Sequence, residues 1–215
     1  MAYHSDLKSD GAKLVCGFAI MPLKTKFKGP APVQREDGPD IVDEAIDFYR
    51  ANVLFRNFEV KTGADRVIIY LTLYISQCLT KLGNYDMDGA TKALQGVAIE
   101  NFVIPGDEKW PLNGVTTNPA SRADSGTMRI DAYPHLTPLR ADIVRQYLTQ
   151  LRQELGNRLA DRVYESGKLK QPSKWWVCFS KRKFMVPVQV VVGFHLPSFL
   201  EPQLVKEHCR NAKQN

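Results

Sequence analysis

Residues 40–82 read DIVDEAIDFYRANVLFRNFEVKTGADRVIIYLTLYISQCLTKL, and the fold turns on how this stretch is interpreted. Its spacing predicts two helices joined by a turn around residues 59–62. In the first, apolar pairs recur at Ile41/Val42, Ala45/Ile46, Phe48/Tyr49 and Val53/Leu54, the wide stripe of a helix packed against a core. Asp40 is placed to cap it, and Asp43 and Glu44 bring negative charge to the positive end of the helix dipole. The second helix has almost no polar face: Val67, Ile68, Ile69, Tyr70, Leu71, Leu73, Tyr74, Ile75, Cys78, Leu79 and Leu82 surround it. A helix apolar all round needs protein or lipid on every side. A membrane span requires about 20 apolar residues, and Asp65, Arg66, Gln77 and Lys81 bracket a shorter run, so protein is the expected surround.

Local propensity points the other way, because VIIYLTLYI is β-branched and aromatic and would suit a buried strand. Two features favour the helix. TGAD at 62–65 is a capping-box pattern, and the apolar spacing continues past Ser76 to Leu82, too long for an ordinary strand. The fold class expected is therefore all-α: a single domain with a central buried helix surrounded by other helices.

Upstream, residues 1–39 read as an extended N-terminal arm. Leu14, Val15, Phe18, Ile20, Met21 and Leu23 are its apolar anchors, KTKFK at 24–28 is a short basic run, and GPAP at 29–32 with Gly38-Pro39 excludes helix. Downstream, Gly83-Asn84 suits a helix C-cap, and residues 88–99 predict a short helix weakened by Gly96. Residues 101–118 read as a surface loop anchored by Phe102 and Trp110. Residues 121–140 carry no helical or strand period and read as an insertion. Ile143, Tyr147, Leu151, Leu155, Leu159 and Val163 then recur every fourth residue, predicting a helix over 142–165 with a charged outer face. Glu154 precedes Arg158 by four positions, the favourable order for an exposed ion pair.

The totals limit the function classes. The chain has 215 residues, a net charge of +6 and four cysteines. Its start lacks the basic and apolar regions of a signal peptide. Cys16, Cys78, Cys178 and Cys209 are scattered and form no CxxC or zinc-ligand spacing, so neither a metal nor a disulfide framework is expected. No phosphate loop, GxSxG, HExxH or nucleotide fingerprint is present. His4, His135, His195 and His208 fall in the arm, the insertion and the tail, poor places to hold a general base rigidly. An enzyme is not expected, nor is a cofactor.

QPSKWWVCFSKRKFM at 171–185 is the second stretch with character. Trp175, Trp176 and Phe179 beside Lys174, Lys181, Arg182 and Lys183 could stack bases and bind phosphates of single-stranded nucleic acid. The same residues suit an interface with a protein partner, since tryptophan and arginine are enriched there. Adjacent tryptophans on a helix face different ways, so one is expected to pack inward and the other to meet a partner. The arm and the proline-bearing loops favour the subunit reading over nucleic acid. No long basic amphipathic helix supports membrane insertion.

Many short motifs also coincide with one known family: AYHS at 2–5, PL at 22–23, FKGPAP at 27–32, DIVDEAI at 40–46 and RAN at 50–52. They continue with ADR at 64–66, IYLTLYIS at 69–76, NF at 101–102, IPG at 104–106 and PLN at 111–113. YL at 147–148, QLRQE at 150–154, PSKWW at 172–176, CF at 178–179, KR at 181–182 and FM at 184–185 complete the series. In this order they make the sequence similar to the actin-related protein 2/3 complex, subunit 3 family. The resemblance implies an all-α, non-catalytic subunit of a seven-subunit complex that nucleates branched actin filaments, docked chiefly on actin-related protein 3. It implies a place in the cytoplasmic actin cytoskeleton, contact with the filament through the complex, and no nucleic-acid partner. It covers residues 1–185. The insertion at 121–140 is longer and less acidic than the family linker, and residues 186–215 form a divergent tail expected to be poorly ordered. Candidate partner-facing residues are Lys174, Trp175, Trp176, Lys181, Arg182 and Lys183 from composition, with Tyr3, His4 and Phe184 added by the family motifs.

Overall fold

A computed structural model describes residues 2–9, 11–35, 37–54, 58–83, 85–117, 136–165 and 167–180, with the side chains of 136–139 and 180 excepted. Among them are five helices and one two-stranded sheet: β1 (Leu14–Val15), β2 (Phe18–Ala19), α1 (Ile41–Asn52), α2 (Gly63–Lys81), α3 (Met87–Ile99), α4 (Leu136–Val163) and α5 (Lys174–Ser180). The stretch expected to decide the fold is two helices, not a strand.

Both start at reciprocal caps. Asp40 accepts from the Val42 and Asp43 amides while Asp43 accepts from the Asp40 amide, and Thr62 and Asp65 make the same exchange. Two orphan donors are thereby satisfied at each start. Gly83 ends α2 in the left-handed conformation, φ +49°, as the C-cap reading required.

α2 packs against α1, α3, α4, α5 and β2. Val67, Ile68, Leu71, Ile75 and Cys78 are fully buried, and transfers of this kind contribute about 1.5–3 kcal/mol per large side chain. The enclosure is incomplete among the described residues. Arg66, Ile69 and Leu73 are half-buried while Gln77, Thr80 and Lys81 are exposed, a stripe at helical spacing that no described element covers.

The all-α expectation needs one correction, in the arm. β1 and β2 pair antiparallel, Leu14 opposite Ala19 and Val15 opposite Phe18, around a two-residue turn at Cys16-Gly17 with φ of +51° and +82°. Two positive φ values in a two-residue turn match the right-handed twist of a hairpin. Gly63 lets the start of α2 press on this hairpin: a Cβ there would lie 2.7 Å from Leu14 Cδ2 and 3.0 Å from the Ala19 backbone nitrogen. Arg66 fastens the turn, donating from Nε to the Val115 carbonyl at 2.7 Å and from Nη1 to the Gly17 carbonyl at 3.2 Å.

α4 also departs from expectation. It starts at Leu136 rather than 142, inside the stretch read as insertion. Pro138 falls in its first turn, where a missing N–H breaks no intrahelical bond. Residues 121–135, the rest of that insertion, lie outside the described residues together with 118–120, as does the tail 186–215.

The polar side chains of α4 are not all on a solvated face. Gln150, Arg152 and Glu154 are buried. Gln150 accepts from the Ala31 amide at 3.1 Å and donates to the Phe27 carbonyl at 2.9 Å, pinning the FKGPAP loop. Arg152 lies between the rings of Tyr74 and Phe102, 4.5 and 4.2 Å from their centroids, and donates to the Val97 carbonyl. Arg158 keeps the expected pair with Glu154, Nε to Oε2 at 3.6 Å, but largely buried rather than on an exposed face, and it also bridges Asp40 and Asp43 across to α1. A polar side chain is accommodated inside when backbone carbonyls, amides and carboxylates satisfy it.

Candidate partner interface

α5 is a seven-residue helix tied to the end of α4: the Ser173 amide donates to the Val163 carbonyl at 3.0 Å, and Trp176 and Val177 donate to Ser173. It packs on α2, and this placement divides the tryptophan pair. Trp176 is 9% exposed and stacks on Tyr49 of α1, ring centroids 6.0 Å apart at 11°. The Arg50 guanidinium stands 5.3 Å from its ring centroid. Phe179 meets Tyr49 edge-on at 6.2 Å. The Tyr49 hydroxyl lies 3.0 Å from Ser76 Oγ, which donates to the Thr72 carbonyl, so tyrosine is the donor to serine. Trp175, by contrast, is 46% exposed, and Lys174 beside it is exposed too.

A stacking platform for single-stranded bases needs accessible aromatic faces. Trp176 and Phe179 are spent on Tyr49, and only Trp175 remains. The nucleic-acid reading loses its aromatic basis here. Lys181, Arg182, Lys183 and Phe184 lie outside the described residues.

Tyr3 and His4 sit elsewhere, along α1 toward the start of α2. Tyr3 stacks on Phe48 at 5.3 Å and stays exposed. His4 Nδ1 lies 3.2 Å from Asp65 Oδ2, and its ring meets Phe58 at 4.9 Å. Thus His4 is more firmly placed than an arm residue was expected to be. Phe48 and Tyr49, adjacent on α1, carry the arm and α5 on neighbouring faces of one helix. The holding is done by Tyr49, Arg50, Asn52 and Asp65. Tyr49 is legible only as part of the apolar stripe of α1 and Asp65 only as a cap, while Arg50 and Asn52 stand out only through the RAN motif.

Cys16, Cys78 and Cys178 are buried, and burial, opposed by the neighbouring Tyr74 hydroxyl and the Arg152 charge, pushes Cys78 up to about 12. Such a thiol is unreactive at neutral pH. Burial likewise pushes Tyr70 up to about 12, against the pull of Arg152. Among the described residues no His/Cys/Asp/Glu group could hold a metal ion, and no helix is long and apolar enough to cross a membrane.

The described residues thus form a mostly helical body with a fastened arm and Trp175 exposed beside Lys174. Comparison with known proteins specifies it further. The family model described as P21-Arc: ARP2/3 complex ARPC3 (21 kDa) subunit matches residues 1–187. Actin-related protein 2/3 complex subunit 3 of Dictyostelium discoideum is 49% identical over 187 residues, covering 86% of this chain and 98% of the relative. The protein of the same name from Schizosaccharomyces pombe is 45% identical over 185 residues, 86% of this chain and 97% of the relative. That from Saccharomyces cerevisiae is 42% identical over 188 residues, with the same shares. The chain belongs to the ARP2/3 complex ARPC3 subunit family, a family of structural subunits and not of enzymes.

Proposed function

We propose that this chain is a non-catalytic structural subunit of the actin-related protein 2/3 complex and supports nucleation of branched actin filaments. In this reading it docks on actin-related protein 3 within a seven-subunit assembly of the cytoplasmic actin cytoskeleton. The observation that carries the reading is the match over residues 1–187, which takes in 97–98% of the length of the three relatives named above. The body is mostly helical and organised on α2, with the two-stranded hairpin in the arm.

On this reading the partner-facing residues are Lys174 and Trp175, the residues Lys181, Arg182, Lys183 and Phe184 that follow α5 in sequence, and Tyr3 and His4 of the arm. Trp176 supports Trp175 by holding α5 on Tyr49. Such a subunit acts by position. It contributes to activation only through binding energy that differs between the inactive and active arrangements of the assembly.

The test is recovery of the tagged chain from its own cytoplasm with partners identified by mass. Actin-related proteins 2 and 3 are expected to co-purify in near-equal amounts. Trp175→Ala is expected to lower their recovery severalfold while leaving the helical content unchanged. Recovery without either actin-related protein would refute the reading, and full recovery with Trp175→Ala would remove Trp175 from the interface.

A further inference from the structure

The basic run KTKFK at 24–28 is bound along α4 and takes no part in the docking reading above. Three α4 side chains, each four residues from the next, hold its backbone. Arg158 Nη2 donates to the Lys24 carbonyl at 2.6 Å, Glu154 Oε1 accepts from the Lys26 amide at 3.3 Å, and Gln150 Nε2 donates to the Phe27 carbonyl at 2.9 Å. Two further bonds close the segment: the Lys24 amide donates to Asp40 Oδ2 at 2.9 Å, and the Phe27 amide to Thr25 Oγ1 at 3.0 Å. The run thus tracks α4 at about one anchor per turn, over about 12 Å of helix axis.

Lys24, Lys26 and Lys28 are exposed, while Thr25 and Phe27 between them are half-buried. Among the described residues none of the three ammonium groups makes an ion pair. The carboxylates beneath the run are engaged elsewhere: Arg158 pairs with Asp40 at 2.6 Å, Asp43 at 2.9 Å and Glu154 at 3.6 Å. Asp40 and Glu154 are buried. Negative charge therefore stays under the run with its own guanidinium, and three unpaired positive charges stand outside it. A backbone fixed in this way leaves only the lysine side chains to be ordered on binding, which lowers the entropic cost of association.

The chemistry of the run selects among acidic partners. A single nucleic-acid strand needs accessible aromatic faces beside the cations, and the run's one ring, Phe27, is half-buried. A membrane surface is held by clusters of about four to eight basic residues or by an amphipathic helix; this run has three lysines and is not helical. Its ammonium groups are point charges without the bidentate fork that arginine offers to phosphate. Carboxylates, presented singly along a protein, match them best.

We propose that Lys24, Lys26 and Lys28, held on the rack of Gln150, Glu154 and Arg158, form a second interaction surface that takes an acidic segment of a protein partner. Exposed ion pairs are individually weak and screened by salt, so the surface steers and registers a partner rather than holding it alone. The arm and α4 of the single chain make this face, and it stands or falls apart from the docking reading at Trp175.

Fluorescence anisotropy of a labelled polyglutamate peptide, titrated with the full chain at low salt, tests this. The combined variant Lys24→Gln, Lys26→Gln, Lys28→Gln is expected to bind the peptide roughly tenfold more weakly, about a factor of two for each exposed pair. The same exchange at Lys92, Lys109 and Lys168, exposed elsewhere, lowers the net charge equally and is expected to change binding less than about twofold. Both variants should melt with the parent chain, since the substituted side chains are exposed. Oligothymidylate and phosphatidylserine vesicles, titrated in the same way, are expected to bind more weakly than the peptide. Equal losses in the two variants, no binding of the peptide by the parent chain, or tighter binding of the oligonucleotide or the vesicles would each overturn the proposal.

Discussion

Replacing Arg158 with methionine probes the joint that fixes α4 to the start of α1 and to the arm. Arg158 donates from Nη1 to Asp40 Oδ1 at 2.6 Å and from Nη2 to Asp40 Oδ2 at 2.8 Å, a bidentate pair. It also reaches Asp43 Oδ1 at 2.9 Å and the Lys24 carbonyl at 2.6 Å. The Asp40 side chain is fully buried and that of Arg158 is 19% exposed. Removing one member of a buried pair typically costs about 3–5 kcal/mol. Here Asp40 keeps the Val42, Asp43 and Lys24 amides as donors, which places the loss at the lower end, about 3 kcal/mol. For a chain of this size the melting temperature would fall by roughly 6–12 °C.

The pH dependence supplies an independent sign. Burial alone would raise the Asp40 carboxyl, but Arg158 and the backbone amides outweigh it and hold Asp40 below the usual carboxylate range. A depressed carboxyl adds stability above its unfolded pKa, near 3.9, and that stability is lost as pH falls through the folded value. Without Arg158 burial is less opposed, and the folded pKa moves up. The gap between variant and parent should therefore narrow as pH falls from 7 toward 4. Denaturant titrations at several pH values measure it, and adding Asp40→Asn to the variant should recover part of the loss by removing the stranded charge. A gap below about 1 kcal/mol at pH 7, or one that widens in acid, would refute this account of the joint.

Gly29→Ala should destabilise by about 1–3 kcal/mol, because the added Cβ would lie 2.2 Å from Gln150 Oε1, the atom that receives the Ala31 amide; thermal denaturation measures this, and a neutral result would show that the FKGPAP loop yields freely. Trp176→Ala should cost about 3 kcal/mol by emptying the space against Tyr49, whereas Trp175→Ala should cost less than about 1 kcal/mol. Paired denaturant titrations of the two variants check that contrast, and equal losses would mean the pair is not divided as described.

Where the chain's local chemistry settled an element, it could be read directly. Asp40/Asp43 and Thr62/Asp65 are caps written within four residues, and the apolar run of α2 outlasts any ordinary strand. That one tryptophan of the pair would turn inward followed from helical geometry; that it is Trp176 did not. Elements set by distant contacts could not be read that way. Cys16 is an unusual residue for a positive-φ hairpin position, so the turn at Cys16-Gly17 gave only half its signal. Gln150, Arg152, Glu154 and Arg158 looked like a solvated face because their partners lie far away in sequence: Gln150 meets Ala31 across 119 residues and Arg158 meets Asp40 across 118. Leu136 was passed over because Pro138 reads as a helix breaker unless the start of the helix is already known. At the candidate interface, composition identified Trp175 but not Asn52, Asp65 or Glu44, whose role is to hold the arm's backbone and leaves no periodic trace.

Cross-linking mass spectrometry of the assembled complex, with a lysine-reactive linker short enough to report neighbours of Lys174, tests the central claim most directly. Cross-links from Lys174 to actin-related protein 3 are predicted, diminished when Trp175 is alanine. Links from Lys174 only to other subunits, unchanged by that substitution, would contradict it.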